Sequence, residues 1–272
     1  MIARVFPRKT AMTPTDPDVY IGEPTIFTPH YNEVHISVAF TWDKPEAERL
    51  LPLWKDCADK VLIGGPAYND PGGEFTPGRY VKHGALMTSR GCPNKCSFCY
   101  VPKREGALRE LTIHSGNNIL DNNLLACSDM HIDQVFAMLK TQKAVQFTGG
   151  LEAARVTDRI VDLLRGISLN QLFLAYDNTA RRKYVAKAAE KLSKYFPMVK
   201  LRCYVLIGYG NDTLDAAEGR LHDAARMGLL PYAMLYRDDG GVVQNTPKWR
   251  QLKKLWSRPA ATKKIIQNLL AK

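Results

Sequence analysis

The sequence predicts an α/β protein: a parallel sheet, open or curled into a partial (β/α)6 barrel, with a small β-α-β unit before it and a basic helical tail after it. Three observations predict this. From residue 81 on, six strand-like runs alternate with helix-length runs, the pattern of parallel strands joined by crossover helices. A shorter strand–helix–strand pattern precedes them within residues 1–80. Residues 240–272 hold eight Lys/Arg and no acid. The expected organisation is therefore an N-terminal arm and cap over 1–80, the barrel over 81–239 and the tail over 240–272.

Each element has a local reason. The first 30 residues hold Pro7, Pro14, Pro17, Pro24 and Pro29 and read as an extended arm. Residues 33–40 (EVHISVAF) alternate and are rich in β-branched types, a strand. Asp43 is placed to cap a helix over 44–58, with Pro45 in its first turn and Leu50, Leu51, Leu53, Trp54 and Cys57 on its apolar face. Val61-Leu62-Ile63 is a short buried strand stopped by Gly64-Gly65-Pro66. The stretch 69–78, with Pro71, Gly72, Gly73, Pro77 and Gly78, is a linker loop. The six later strands are expected at 85–88, 118–121, 145–148, 172–176, 201–207 and 232–236. Helices are expected near 129–141, 154–166, 180–196 and 213–228. The third of these shows the period best, with Tyr184, Val185, Ala188, Ala189, Leu192 and Phe196 on one face and lysines and arginines off it. In such folds the working residues sit at the carboxyl ends of strands. Polar or glycine clusters occupy those places: Arg90-Gly91-Cys92, Asp121-Asn122-Asn123, Gly149-Gly150, Asp177-Asn178 and Gly208-Tyr209-Gly210.

Composition removes several classes. With 272 residues, 45% hydrophobic and 24% charged, the chain is neither disordered nor collagen-like. Its apolar stretches fall short of the roughly 18–20 residues of a membrane span, and no secretory pattern is visible at its start. Six cysteines, three of them within eight positions, favour a metal site in a reducing compartment over a disulfide scaffold. A soluble, cytoplasmic protein without membrane association is expected. The net charge of +11 is uneven: −3 over 1–80, +6 over 81–239 and +8 over 240–272. Trp249 and Trp256 sit in the basic segment. It can follow a phosphate backbone, or it can be a solvated helix docked by its tryptophans.

The strongest chemical signal is Cys92-Pro-Asn-Lys-Cys96-Ser-Phe-Cys99-Tyr100, directly after a predicted strand. Three thiolates on one tight loop suit several corners of an iron–sulfur cube. A structural zinc site wants four ligands in paired short spacings, and His83 and His114 are not suitably spaced to supply a fourth. Cys57, Cys127 and Cys203 stand alone and read as core thiols. Three ligands on a four-iron cube leave one iron open to a ligand or substrate.

The C-x3-C-x2-C loop, with Phe98 before its last cysteine and its place at the end of the first of six strands, resembles the radical S-adenosylmethionine (SAM) superfamily over roughly residues 84–237. The resemblance implies a [4Fe–4S] cluster on Cys92, Cys96 and Cys99, whose fourth iron chelates SAM. It also implies reductive cleavage to a 5′-deoxyadenosyl radical that takes hydrogen from a substrate, and an electron donor of flavodoxin or ferredoxin type. By the same resemblance Asp121 and Asn122, ending the second strand, meet the SAM amino group. If the strand count is shifted by one, Gly149, Gly150 and Glu152 take that role. Asp177 resembles the polar position that meets the ribose. Val205-Leu206-Ile207-Gly208, and with it Ile207 and Gly208, resembles the stretch packed on adenine, and Tyr100 stands where the backbone contacts adenine. Taken one at a time, each of these residue types is equally at home in a turn, loop or helix cap.

The N-terminal unit also resembles the Rossmann-like domain that precedes the barrel in cobalamin-dependent members. The Asp-x-His-x-x-Gly lower-ligand pattern is absent, and about 80 residues is short for that domain, which argues against cobalamin. The substrate is left open between a tRNA or DNA base, a peptide side chain and a small metabolite. The alternative function is a non-catalytic zinc or iron–sulfur module that binds nucleic acid.

Overall fold

The computed structural model describes residues 1–70, 72–240 and 246–270. Pro71 of the expected linker and residues 241–245 and 271–272 of the expected tail lie outside the described residues. The chain packs as two compact units, Met1–Gly116 with Asp239–Gly241 and Asn117–Asp238 with Val242–Lys272. The boundary drawn from composition at residue 80 therefore falls inside the first unit, which includes the cysteine loop. The basic tail belongs to the second.

The first unit is built on a four-stranded parallel sheet. Its strands are β1 (Ile2–Phe6), β2 (Val19–Ile21), β3 (Tyr31–Ser37) and β4 (Ala58–Gly64), with α1 (Lys44–Leu53) between the last two. The order is β2-β1-β3-β4. The expected extended arm is thus a correction: it contains two of the four strands. Proline punctuates it, but β1 ends just before Pro7, and its alternation sends Ala3 and Val5 into the core with no exposure. Val34, Ile36, Val38, Leu50 and Trp54 complete that core. Helix α1 stops at Leu53, short of the expected Ala58, after Pro52 removes one backbone donor. Asp43 is its N-cap residue without a side-chain capping bond. Its carboxylate accepts instead from Arg8 Nε at 2.9 Å. Later in this unit come β5 (Ala85–Leu86), β6 (Ser89–Arg90), α2 (Val101–Arg104) and β7 (Arg109–Glu110), where β6 and β7 pair antiparallel.

The second unit alternates as expected: β8 (Asn118–Ile119), α3 (Asp129–Leu139), β9 (Val145–Leu151), α4 (Asp158–Arg165), β10 (Leu169–Tyr176), α5 (Arg182–Ser193), β11 (Leu201–Ile207), α6 (Leu214–Arg226) and β12 (Leu230–Leu235). Helices α7 (Pro247–Ser257) and α8 (Pro259–Leu270) follow. Ser128, Thr157, Thr213 and Thr246 each cap the next helix by accepting a backbone N–H three residues on. The strands of this unit run in the order β12-β11-β10-β9-β8, and all their ladders are parallel. Each strand neighbours the next in sequence with no reversal. Right-handed crossovers then place the intervening helices on one face. The burial alternation agrees: Leu201, Cys203, Val205 and Ile207 are fully buried, while Arg202, Tyr204 and Leu206 are half-buried.

Candidate functional site

The cysteine loop belongs to the first unit and leaves β6 through Gly91. That residue has φ +80°, and a Cβ there would lie 2.2 Å from the Ala107 carbonyl oxygen, so only glycine fits. Inside the loop the Cys99 N–H donates to the Cys96 carbonyl at 3.0 Å, and the Asn94 N–H donates to Cys92 Sγ at 3.4 Å. Arg90 Nε and Glu105 Oε2 pair at 2.6 Å with little exposure on either side, bracing the two ends of the segment. Arg109 donates to the carbonyls of Glu105 at 2.8 Å and Gly72 at 3.1 Å. Tyr100 is the N-cap residue of α2, with the Arg104 guanidinium 4.8 Å from its ring centroid. Cys92, Cys96 and Cys99 are all partly exposed, and no disulfide joins the cysteines. Among the described residues no three His, Cys, Asp or Glu side chains converge as a metal-ligating group. The thiols thus share one braced loop, and their donor chemistry fits a thiolate-held cluster. Of the expected core thiols only Cys203 is buried, and burial pushes its thiol up; Cys57 and Cys127 are partly exposed.

The strand-end residues belong to the second unit. Strand β8 is the second of the six expected strands and β9 the third, so Asp121 follows the second and Gly149-Gly150 lies in the third. The two sets weighed for the same role are neighbours. A Cβ on Gly149 would lie 2.4 Å from the Asp121 carbonyl oxygen, so glycine admits the Leu120–Asp121 backbone against β9. Asn123 Nδ2 donates to Glu152 Oε2 at 2.8 Å, and Arg155 Nε donates to the same oxygen at 2.9 Å. Asp121 is 1% exposed, whereas Asn122 is half-buried.

Asp177 follows β10 and is partly exposed. Its carboxylate makes no hydrogen bond among the described residues, so it is not acting as a helix cap. Burial pushes its pKa from 3.8 up to about 6, against the opposing charges of Arg181 and Arg220. At the end of β11 the Ile207 side chain is fully buried and offers a ligand only its backbone; Leu206 lies on the half-buried face. Gly208, at φ +76°, donates its N–H to Asp212 Oδ2 at 2.8 Å. Arg220 holds both Asp212 oxygens at 3.0 and 2.7 Å and the Leu206 carbonyl at 2.8 Å. This nearly buried pair sets the loop after β11. Sequence reasoning missed it, because nothing in the helical period distinguishes Arg220 from the solvated arginines of the chain.

The sheet face opposite the helices was missed too. Gln171 Nε2 donates to Gln146 Oε1 at 2.8 Å across β10 and β9. Phe173 and Tyr204 stack at 4.1 Å, and Tyr232 meets Tyr204 edge-on at 6.0 Å. Burial pushes the Tyr204 hydroxyl up to about 12, and that hydroxyl donates to the Thr148 carbonyl at 3.1 Å. The strand alternation carried this signal, in Gln146, Arg202, Tyr204 and Tyr232 between apolar positions.

In the tail, Trp249, Leu252, Trp256 and Ile266 are buried, and Trp256 meets His222 edge-on at 5.5 Å. The tryptophans therefore pack rather than wait for a base. Lys248, Arg250, Lys253, Lys254, Arg258, Lys263 and Lys264 are all exposed. No ion pair joins them to an acid among the described residues. Among the described residues, also, no helix is long and apolar enough to cross a membrane. No family model matches the chain, and no curated protein matches it.

Proposed function

We propose that the protein is a radical SAM enzyme with one [4Fe–4S] cluster, built on a partial (β/α)6 barrel. The observation that carries this reading is the C-x3-C-x2-C loop of Cys92, Cys96 and Cys99, three partly exposed thiols on one braced segment of an α/β chain. The consecutive, unreversed parallel strands of the second unit support the barrel winding. When bound, the cluster and SAM supply a 5′-deoxyadenosyl radical for hydrogen abstraction. The chain's own residues do the positioning. The three thiolates hold the metal, Asp121 and Asn122 receive the SAM ammonium through charge-assisted hydrogen bonds, and Asp177 accepts from a ribose hydroxyl. Glu152, one of whose oxygens accepts from Asn123 and Arg155, is the alternative amino-group contact. Gly149 admits the Asp121 backbone beside β9, Gly150 leaves its strand end uncrowded, the Gly208 loop and Leu206 border the adenine, and Tyr100 lies beside the last thiolate. Cysteine usage supports a reducing, cytoplasmic setting, and the family resemblance implies a flavodoxin- or ferredoxin-type donor. The missing Asp-x-His-x-x-Gly pattern and the short N-terminal unit argue against cobalamin.

The exposed basic stripe of α7 and α8 favours a nucleic-acid substrate within this reading. It is also the observation behind the second one, a non-catalytic zinc or iron–sulfur module that binds nucleic acid. Anaerobic reconstitution separates the two. About four irons per chain and 5′-deoxyadenosine released from SAM under dithionite support the enzyme. One zinc per chain with no SAM cleavage supports the binding module.

A further inference from the structure

The N-terminal sheet has a place the reading above leaves unused. In the order β2-β1-β3-β4, the chain leaves β1 toward one edge and leaves β3 toward the other. Adjacent parallel strands whose connections diverge in this way open a crevice at their carboxyl ends, where open α/β sheets bind ligands. Four residues follow those carboxyl ends. Arg8 and Lys9 follow β1, and Phe40 and Trp42 follow β3. Phe40 and Trp42 are exposed and stacked, with centroids 4.7 Å apart and planes within 12°. The Arg8 guanidinium lies 5.1 Å from the Phe40 centroid and 5.7 Å from that of Trp42, held by Asp43 at 2.9 Å. Lys9 is exposed. Thr41, between the two in sequence, is 9% exposed, and its buried hydroxyl has no hydrogen-bond partner.

Paired exposed rings cost solvation unless something covers them, and an orphan hydroxyl costs the same way. Rings beside cations suit a ligand that is planar at one end and anionic at the other. We propose that this crevice binds a nucleotide-class ligand, its base stacked on the Phe40–Trp42 pair and its phosphate held by Arg8 and Lys9. Base stacking on an aromatic and a phosphate–guanidinium bond are each worth about tenfold in affinity. The inference does not rest on the cluster assignment, since every residue in it belongs to the N-terminal sheet.

Trp42 makes the test direct. It is 36% exposed, while Trp54, Trp249 and Trp256 are 0%, 5% and 1% exposed, so quenching by a stacked base reports on this one ring. The full-length chain is titrated with adenosine 5′-monophosphate, adenosine and inorganic phosphate, following tryptophan emission and heat of binding. The monophosphate should quench saturably and bind more tightly than either fragment. Arg8→Gln should weaken it about tenfold while leaving adenosine nearly unchanged, and Phe40→Leu should weaken both. Absence of quench and heat at millimolar monophosphate overturns the proposal. So does binding that survives Arg8→Gln and Phe40→Leu unaltered, because the ligand would then sit elsewhere. Unchanged circular dichroism and Tm of both variants keep a folding defect from imitating the expected result.

Discussion

Replacing Asp177 with Asn should make the protein more stable at neutral pH. The carboxyl group follows β10, burial raises its pKa from 3.8 to about 6, and it has no hydrogen bond to lose among the described residues. Because the folded pKa lies above the unfolded one, the penalty is absent below about pH 4, where both states are protonated. It grows as pH rises through the interval and is complete above about pH 6. A gap of about two units corresponds to about 3 kcal/mol. Partial exposure screens part of this and brings the expected gain to about 1–2 kcal/mol, or a Tm higher by about 3–6 °C. The assay is urea unfolding of wild type and Asp177→Asn at several pH values between 4 and 8. The stability difference should be near zero at the acid end and grow to a plateau above pH 6. A variant no more stable at pH 7, or a difference flat with pH, refutes the reasoning. An unpaired, desolvated carboxylate is a standing cost that a ribose hydroxyl would relieve. The same variant should therefore weaken SAM retention while it gains stability.

Other expectations concern the metal, the SAM contacts and the tail. Cys92→Ala, Cys96→Ala and Cys99→Ala should each abolish the broad absorption near roughly 400 nm expected of a cluster; a comparable loss from Cys57→Ala, Cys127→Ala or Cys203→Ala would sink the ligand assignment. Asp121→Asn, which keeps the volume of a side chain only 1% exposed, should raise the SAM Kd with the cluster spectrum intact. Glu152→Gln should change SAM affinity little, and the opposite pattern moves the amino-group contact to the third strand. Reversing Lys253, Lys254, Lys263 and Lys264 to Glu should eliminate salt-sensitive binding of bulk tRNA or duplex DNA. If wild type binds neither at low salt, the substrate is a peptide or a small metabolite.

The second unit was legible because its signals are local. Helix caps at Ser128, Thr157 and Thr213 precede amphipathic runs, and the strand runs between them are short and apolar. These elements stand within a few residues of where periodicity put them. The N-terminal unit was read less well. Val19–Ile21 is only three residues long, and Ile2–Phe6 precedes a run of prolines, so each becomes a strand through its neighbour β1 or β3 rather than through its own pattern.

Residue type and spacing by themselves determined the alternation of strands and helices, the cysteine loop, the polar clusters at strand ends and the acid-free basic tail. Tertiary structure alone decided which of those residues are spoken for. It seated Glu152 between Asn123 and Arg155, left the Asp177 carboxylate without a bond, and buried Ile207 while turning Leu206 to the open face. It also joined Arg220 to Asp212 across eight residues and set Arg8 beside two rings more than thirty residues away. The division has a physical cause. Backbone propensity and period act between near neighbours in sequence, whereas burial, ion pairing and the opening of a crevice depend on which distant segments the sheet brings together.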